Sequence, residues 1–214
     1  MYNLKLIFVL LLIIVCFTNC QKPCKVAYNF DFPFTISPAN DTISIGDTLT
    51  IESIYCSQLL DKNSNTYIAV NDFDFLFDLY LIKLDSLESY SFDYFEIIVN
   101  KGNLNTFTFS DDHKIKTIKY SYEKSKNCFN INLIPHKKGI FYIRQRPYIT
   151  GFKYDDLHIT DTECEERVDD YIVVVNEGQD NHFYLLSHST DSGYYKNALL
   201  SDFTKTGGFC FVVK

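Results

Sequence analysis

Tryptophan is missing from this chain, and its seven cysteines include no C-x-x-C pair. The first absence removes the usual stacking residue of sugar-binding platforms. The second disfavours a zinc site and a thioredoxin-like redox motif. Proline and glycine are sparse, at five and eight residues, so no low-complexity linker is expected. Basic charge is in deficit: 20 Lys and Arg stand against 27 Asp and Glu, for a net charge of −7. Such a chain is a poor partner for nucleic acid and is not drawn electrostatically to anionic lipid. No G-x-S-x-G, no H-E-x-x-H and no phosphate-binding glycine loop is present. No catalytic residue and no cofactor is therefore assigned, and the chain is read as not an enzyme. Long apolar runs are absent too, apart from one at the N-terminus.

That run lies within MYNLKLIFVLLLIIVCFTNC, residues 1–20. Lys5 precedes an apolar stretch from Leu6 to Phe17. A membrane span needs about 20 apolar residues. This stretch is shorter and has the form of a secretory signal. No pair of small residues marks an ordinary cleavage site. The segment Phe17-Thr18-Asn19-Cys20 instead resembles the bacterial lipoprotein signal, in which cleavage precedes a cysteine whose sulfur carries diacylglycerol. Asn19 stands where Gly, Ala or Ser is usual, and Phe17 where Leu is usual.

The resemblance implies lipid attachment at Cys20, a signal peptide over 1–19 and a tether over 20–26, and residues 27–214 are read from their strand pattern as a single β-sandwich domain. The resemblance also implies a cell-envelope protein anchored to the outer membrane. Several acyl chains together make such an anchor stable, where one alone binds weakly. Gln21-Lys22-Pro23 lacks the acidic residues that mark surface export, so the periplasmic and surface faces both stay open. Loss of Lys5 with the signal moves the net charge from −7 to −8.

Five cysteines remain beyond Cys20: Cys24, Cys56, Cys128, Cys164 and Cys210. In an oxidising compartment they make two bridges and leave one thiol. Several pairings are open. The favoured bridge is Cys164–Cys210, tying a loop to the last strand, with Cys24 in the tether as the odd thiol.

Alternation with period two dominates the first two-thirds of the mature chain. Tyr28, Phe30, Phe32 and Phe34 share one face, and Leu49, Ile51 and Tyr55 another. Residues 72–84 place Phe73, Phe75, Phe77, Leu79 and Leu81 on one side, with Asp72, Asp74 and Asp78 as the wet side. Strands are expected over Phe92–Val99, Ile115–Tyr122 and 128–134. Pro135 and Lys137-Lys138-Gly139 are read as a hairpin turn into Ile140–Arg146. The last third is less regular. It holds a buried strand over Tyr171–Val175, short helices between 180 and 205, and a closing strand over Phe209–Val213.

The stretch FPFTISPANDTISIGDTLTIES, residues 32–53, resembles the opening of uncharacterised Bacteroidota lipoproteins that fold as immunoglobulin-like sandwiches. The fold expected is therefore mainly β, an immunoglobulin-like antiparallel β-sandwich with a less regular C-terminal third. The family lends no catalytic residues. It implies a structural or binding role with an unknown protein or glycan partner, and alternatively a glycan-binding accessory module of an uptake system.

Among candidate sites, Asp155, Asp156, Asp161 and Glu163 form the best loop for an oxygen-ligated cation, without the EF-hand spacing. A solvated acidic loop explains them more simply. The five histidines read as loop residues, since none has metal-ligand spacing. Tyr90, Tyr94, Tyr120, Tyr122, Tyr194 and Tyr195 are the tyrosines to inspect for an exposed patch. Arg144-Gln145-Arg146 fits either an anion site or an edge strand guarded by charge.

Overall fold

The computed structural model describes residues 24–54, 58–69, 76–86, 92–109, 115–121, 128–147, 164–191 and 195–214. Among these residues thirteen strands form two packed sheets, a β-sandwich. The first contains β1 (Lys25–Ser37), β3 (Leu49–Ile54), β4 (Gln58–Asp61), β5 (Thr66–Ala69), β7 (Phe95–Lys101), β10 (Cys128–Pro135) and β12 (Glu165–Val175). The second contains β2 (Thr42–Ile43), β6 (Leu76–Lys83), β8 (Asn103–Phe109), β9 (Ile115–Ser121), β11 (Gly139–Pro147) and β13 (Phe209–Val213). Pairing is antiparallel except for β1 with β12 and β2 with β13, which run parallel.

β1 organises the first sheet. Tyr28, Phe30, Phe32, Phe34 and Ile36 point inward and are buried, as period-two alternation requires. Along one stretch β1 pairs with β4 at Phe30 and Asp31, and further on with β3 from Thr35 to Ser37. Pro33 falls between these pairings, so its missing N–H costs neither of them a bond. β12 runs beside β1 from Lys25 to Phe34. Lys25 and Val26, expected in the tether, are thus the first residues of a sheet strand.

Interlocking rings join the two layers. Phe32 and Phe34 of the first sheet meet Phe77 of the second edge-on, with centroids 5.0 and 5.7 Å apart. Phe95 meets Phe141 at 4.8 Å. Edge-to-face packing adds about 0.5–1.5 kcal/mol per pair beyond the area buried.

The second sheet is covered on its outer side as well. A 3-10 segment (Phe183–His188) and a short helix (Leu200–Lys205) lie over it. Ile82, Leu84, Tyr142, Leu185, Leu186 and Phe203 form a second apolar cluster there. Burial on both faces explains why Phe209-Cys210-Phe211-Val212-Val213 is continuously apolar.

Several expectations are corrected. β10 and β11 are not a hairpin: they lie in different sheets, and Pro135–Gly139 carries the chain between layers. The strand expected over Phe92–Val99 is β7, which begins at Phe95. It runs through Lys101, and past Gly102 the chain enters β8 of the other sheet. Asp78 is not on a wet face but buried, on a strand paired with β11 on one side and β9 on the other. β11 is an interior strand between β13 and β6, so Arg144 does not guard an edge.

The cysteine pairing is corrected too. Cys24 bonds to Cys164, not Cys164 to Cys210. These two residues immediately precede Lys25 and Glu165, the first register pair of β1 and β12. Parallel strands starting side by side bring the two Cα atoms to 4.6 Å. Cys210 sits fully buried inside β13, and it and Cys128 are free thiols.

Candidate functional site

The outer face of the first sheet carries a cleft of 1010 Å³. That volume is at the upper end for small-ligand sites. It arises from the outward positions of adjacent strands. Asp31, Pro33 and Thr35 come from β1, Leu60 from β4, Tyr67 from β5 and Val174 from β12. Register places Leu60 between Asp31 and Tyr67, and Val174 beside Pro33. Tyr67 is 68% exposed and Ile54, at the end of β3, is 51% exposed. Exposed apolar residues of this size beside a cleft are a usual mark of a contact surface.

The end of the cleft is formed by the loop after β12. Asn176, Glu177 and Gly178 have φ of 48, 59 and 76°. Consecutive left-handed residues are costly outside glycine, about 1–2 kcal/mol each. Side-chain bonds hold them. The Ile36 amide donates to Asn176 Oδ1 at 2.9 Å, Asn176 Nδ2 donates to Asn181 Oδ1 at 3.1 Å, and Asn181 Nδ2 donates to the Val175 carbonyl at 3.1 Å. The result fixes Glu177 and Gln179 at the cleft wall. Strained non-glycine backbone of this kind concentrates at ligand sites.

Next to Leu60 of the cleft, Asp61 stiffens the turn from β4 to β5. Its carboxylate accepts from the Asn29 amide at 2.8 Å, the Ser64 amide at 2.9 Å and the Ser64 hydroxyl at 2.7 Å. Burial pushes the Asp61 carboxyl upward, but these bonds and one from the Asn63 amide outweigh it and hold the group below the usual carboxylate range. Asp61 lies opposite Phe30 in the β1–β4 register, next to Asn29. Nearby, Lys62 pairs with Asp31 at 3.1 Å, which leaves Asp31 compensated at the cleft floor.

The sequence candidates fare unevenly. Cys20 and the acidic loop Asp155, Asp156, Asp161 and Glu163 lie outside the described residues, as do Tyr90, Tyr122 and Tyr194. Tyr94 and Tyr195 are buried and offer no platform. His182 and His136 direct ring nitrogens at the carbonyls of Cys210 and Asp93, each at 2.8 Å, and serve the fold. Arg144 is half-buried, its guanidinium 5.9 Å from the Tyr80 ring centroid. The cleft itself is absent from the sequence reading. Its trace is apolar residues on the outward side of strands, Ile54, Leu60, Tyr67 and Val174, where alternation calls for polar ones.

No protein-family model matches the chain, and no curated protein matches it. Among solved structures, the human F-spondin reeler domain is similar at a TM-score of 0.32 and 11% identity, over 71% of this chain and 89% of that one. The seventh ScaB type I cohesin of Pseudobacteroides cellulosolvens is similar at 0.29 and 10%, over 70% and 93%. A type II cohesin module from the ScaA scaffoldin of Acetivibrio cellulolyticus is similar at 0.28 and 6%, over 67% and 86%. Likeness this distant transfers no site, ligand or family.

Proposed function

We propose that this protein is a non-catalytic binding module, held at the cell envelope by acylation of Cys20, whose outer sheet face takes a glycan chain. The anchor reading is supported by the leader that ends at Cys20. The observation that carries the binding reading is the cleft itself. An exposed ring, Tyr67, stands over a floor fringed by Thr35, Gln58, Glu177 and Gln179. Sugars ask for that mixture: a flat apolar surface for C–H faces and amide or carboxylate groups for hydroxyls.

Two experiments test it. Mass spectrometry of the mature N-terminus finds a diacylglycerol-modified Cys20, and Cys20→Ala moves the protein out of the membrane fraction. In affinity electrophoresis against a panel of envelope and plant polysaccharides, at least one retards the wild type, and Tyr67→Ala abolishes the retardation without changing Tm. An unmodified N-terminus ends the anchor reading. Failure of every polysaccharide, or retardation unchanged in Tyr67→Ala, ends the glycan reading.

A further inference from the structure

The second sheet has a pocket of its own, sharing no lining residue with the cleft. It measures 240 Å³ and lies between the outer face of β11 and the covering segment around the Leu200–Lys205 helix. Its apolar wall is Tyr142, Leu186, Ala198 and Phe203. Tyr142 and Phe203 stack at 5.5 Å, and both are nearly fully buried, so this wall is rigid.

Two opposite charges line the same small space, Arg144 from β11 and Asp202 from the helix. Among the described residues neither makes an ion pair within 4.0 Å, with each other or with any other group. Arg144 instead has its guanidinium over the Tyr80 ring, 5.9 Å from the centroid. A fork-shaped guanidinium held on an aromatic face, with its donors uncommitted to a carboxylate, is suited to bidentate capture of one. Asp202 would oppose a simple anion. It favours a ligand that also carries a cation.

We infer that this pocket binds a small zwitterion of the α-amino acid type with an apolar side chain. Its carboxylate meets Arg144, its ammonium meets Asp202, and its side chain lies against Tyr142, Phe203 and Leu186. The pocket is large enough for one such molecule and too small for a glycan chain. The inference does not depend on the cleft.

The test is titration calorimetry on the mature, disulfide-bonded protein with L-leucine and L-phenylalanine as probes. 3-Phenylpropanoate, which lacks the ammonium, and 2-phenylethylamine, which lacks the carboxylate, serve as comparators. At least one amino acid is expected to bind, and each comparator at least about tenfold more weakly than L-phenylalanine or L-leucine, the loss expected when one charge-assisted contact goes. Arg144→Met and Asp202→Asn each weaken the amino acid at least about tenfold, with Tm held near wild type. Binding of neither amino acid at millimolar concentration overturns the inference. Equal binding of 3-phenylpropanoate, or unchanged affinity in Arg144→Met, overturns it as well.

Discussion

Cys24 and Cys164 are separated by 140 residues in the chain yet stand side by side at the heads of two parallel strands, joined through their sulfurs. The bond closes the longest-range strand pairing of the first sheet at the N-terminal ends of β1 and β12. A cross-link across so long a loop removes much freedom from the unfolded chain, by about 2–5 kcal/mol in the usual range. The Cys24→Ser, Cys164→Ser double variant is expected to lose that much in urea unfolding. In the single variant Cys164→Ser, the newly labelled thiol of the folded protein is Cys24. Cys210 stays silent, because burial holds its thiol well above the usual range and so protonated. Peptide mapping after alkylation checks both statements.

Much of the sandwich is written in local alternation. The phenylalanine row of β1 and the pattern 128–135 of β10 lie where period two places them. What alternation does not encode is which strand lies beside which. The parallel partnership of β1 with β12 joins segments 140 residues apart, and nothing in either segment names the other. Likewise Lys137-Lys138-Gly139 has hairpin chemistry, but the inward faces of β10 and β11 look at each other across the core, so the connection changes layers instead. The cleft needed that lateral order before its lining could be assembled.

Asp61 ties stability to pH. Its carboxyl titrates lower in the folded protein than in the unfolded chain, because the folded form supplies four hydrogen-bond donations to the charged group. The stabilisation is therefore complete above the unfolded carboxylate pKa of about 4 and disappears as pH falls through the lower folded value. Asp61→Asn turns one acceptor into a donor facing the Ser64 amide. It is expected to destabilise by about 1–3 kcal/mol at pH 7. The gap between variant and wild type narrows below pH 4. Chemical unfolding between pH 2.5 and 7 reads both.

Phe77 is the ring that Phe32 and Phe34 both strike edge-on from the opposite sheet. It is fully buried. Phe77→Ala removes the wedge between layers and leaves a cavity that two large neighbours cannot close without moving. The expected cost is about 3–5 kcal/mol. Phe77→Leu, which keeps most of the volume, loses considerably less. Thermal unfolding of the pair separates lost packing from general intolerance at this site.

Gly207 joins the layers at one point. Thr206 bridges to Val173 of the first sheet, and its carbonyl accepts the Gln145 amide of the second at 2.9 Å. The next residue must therefore pass between two strands, and Gly207 does so with φ at +58°. A Cβ there would lie 2.6 Å from Val173 Cγ1 and 3.2 Å from Gln145 Cβ. Gly46 offers the matched comparison: its φ is +87°, but a Cβ would meet nothing within 4 Å. Gly46→Ala thus carries the backbone cost alone, about 1–2 kcal/mol. Gly207→Ala adds overpacking of about 1–3 kcal/mol and is expected to be the more damaging by that difference. Equal losses in the two variants would mean that strand approach at Thr206 is loose enough to absorb a methyl group, and that the sandwich is closed along this side by the buried rings rather than by the backbone bridge.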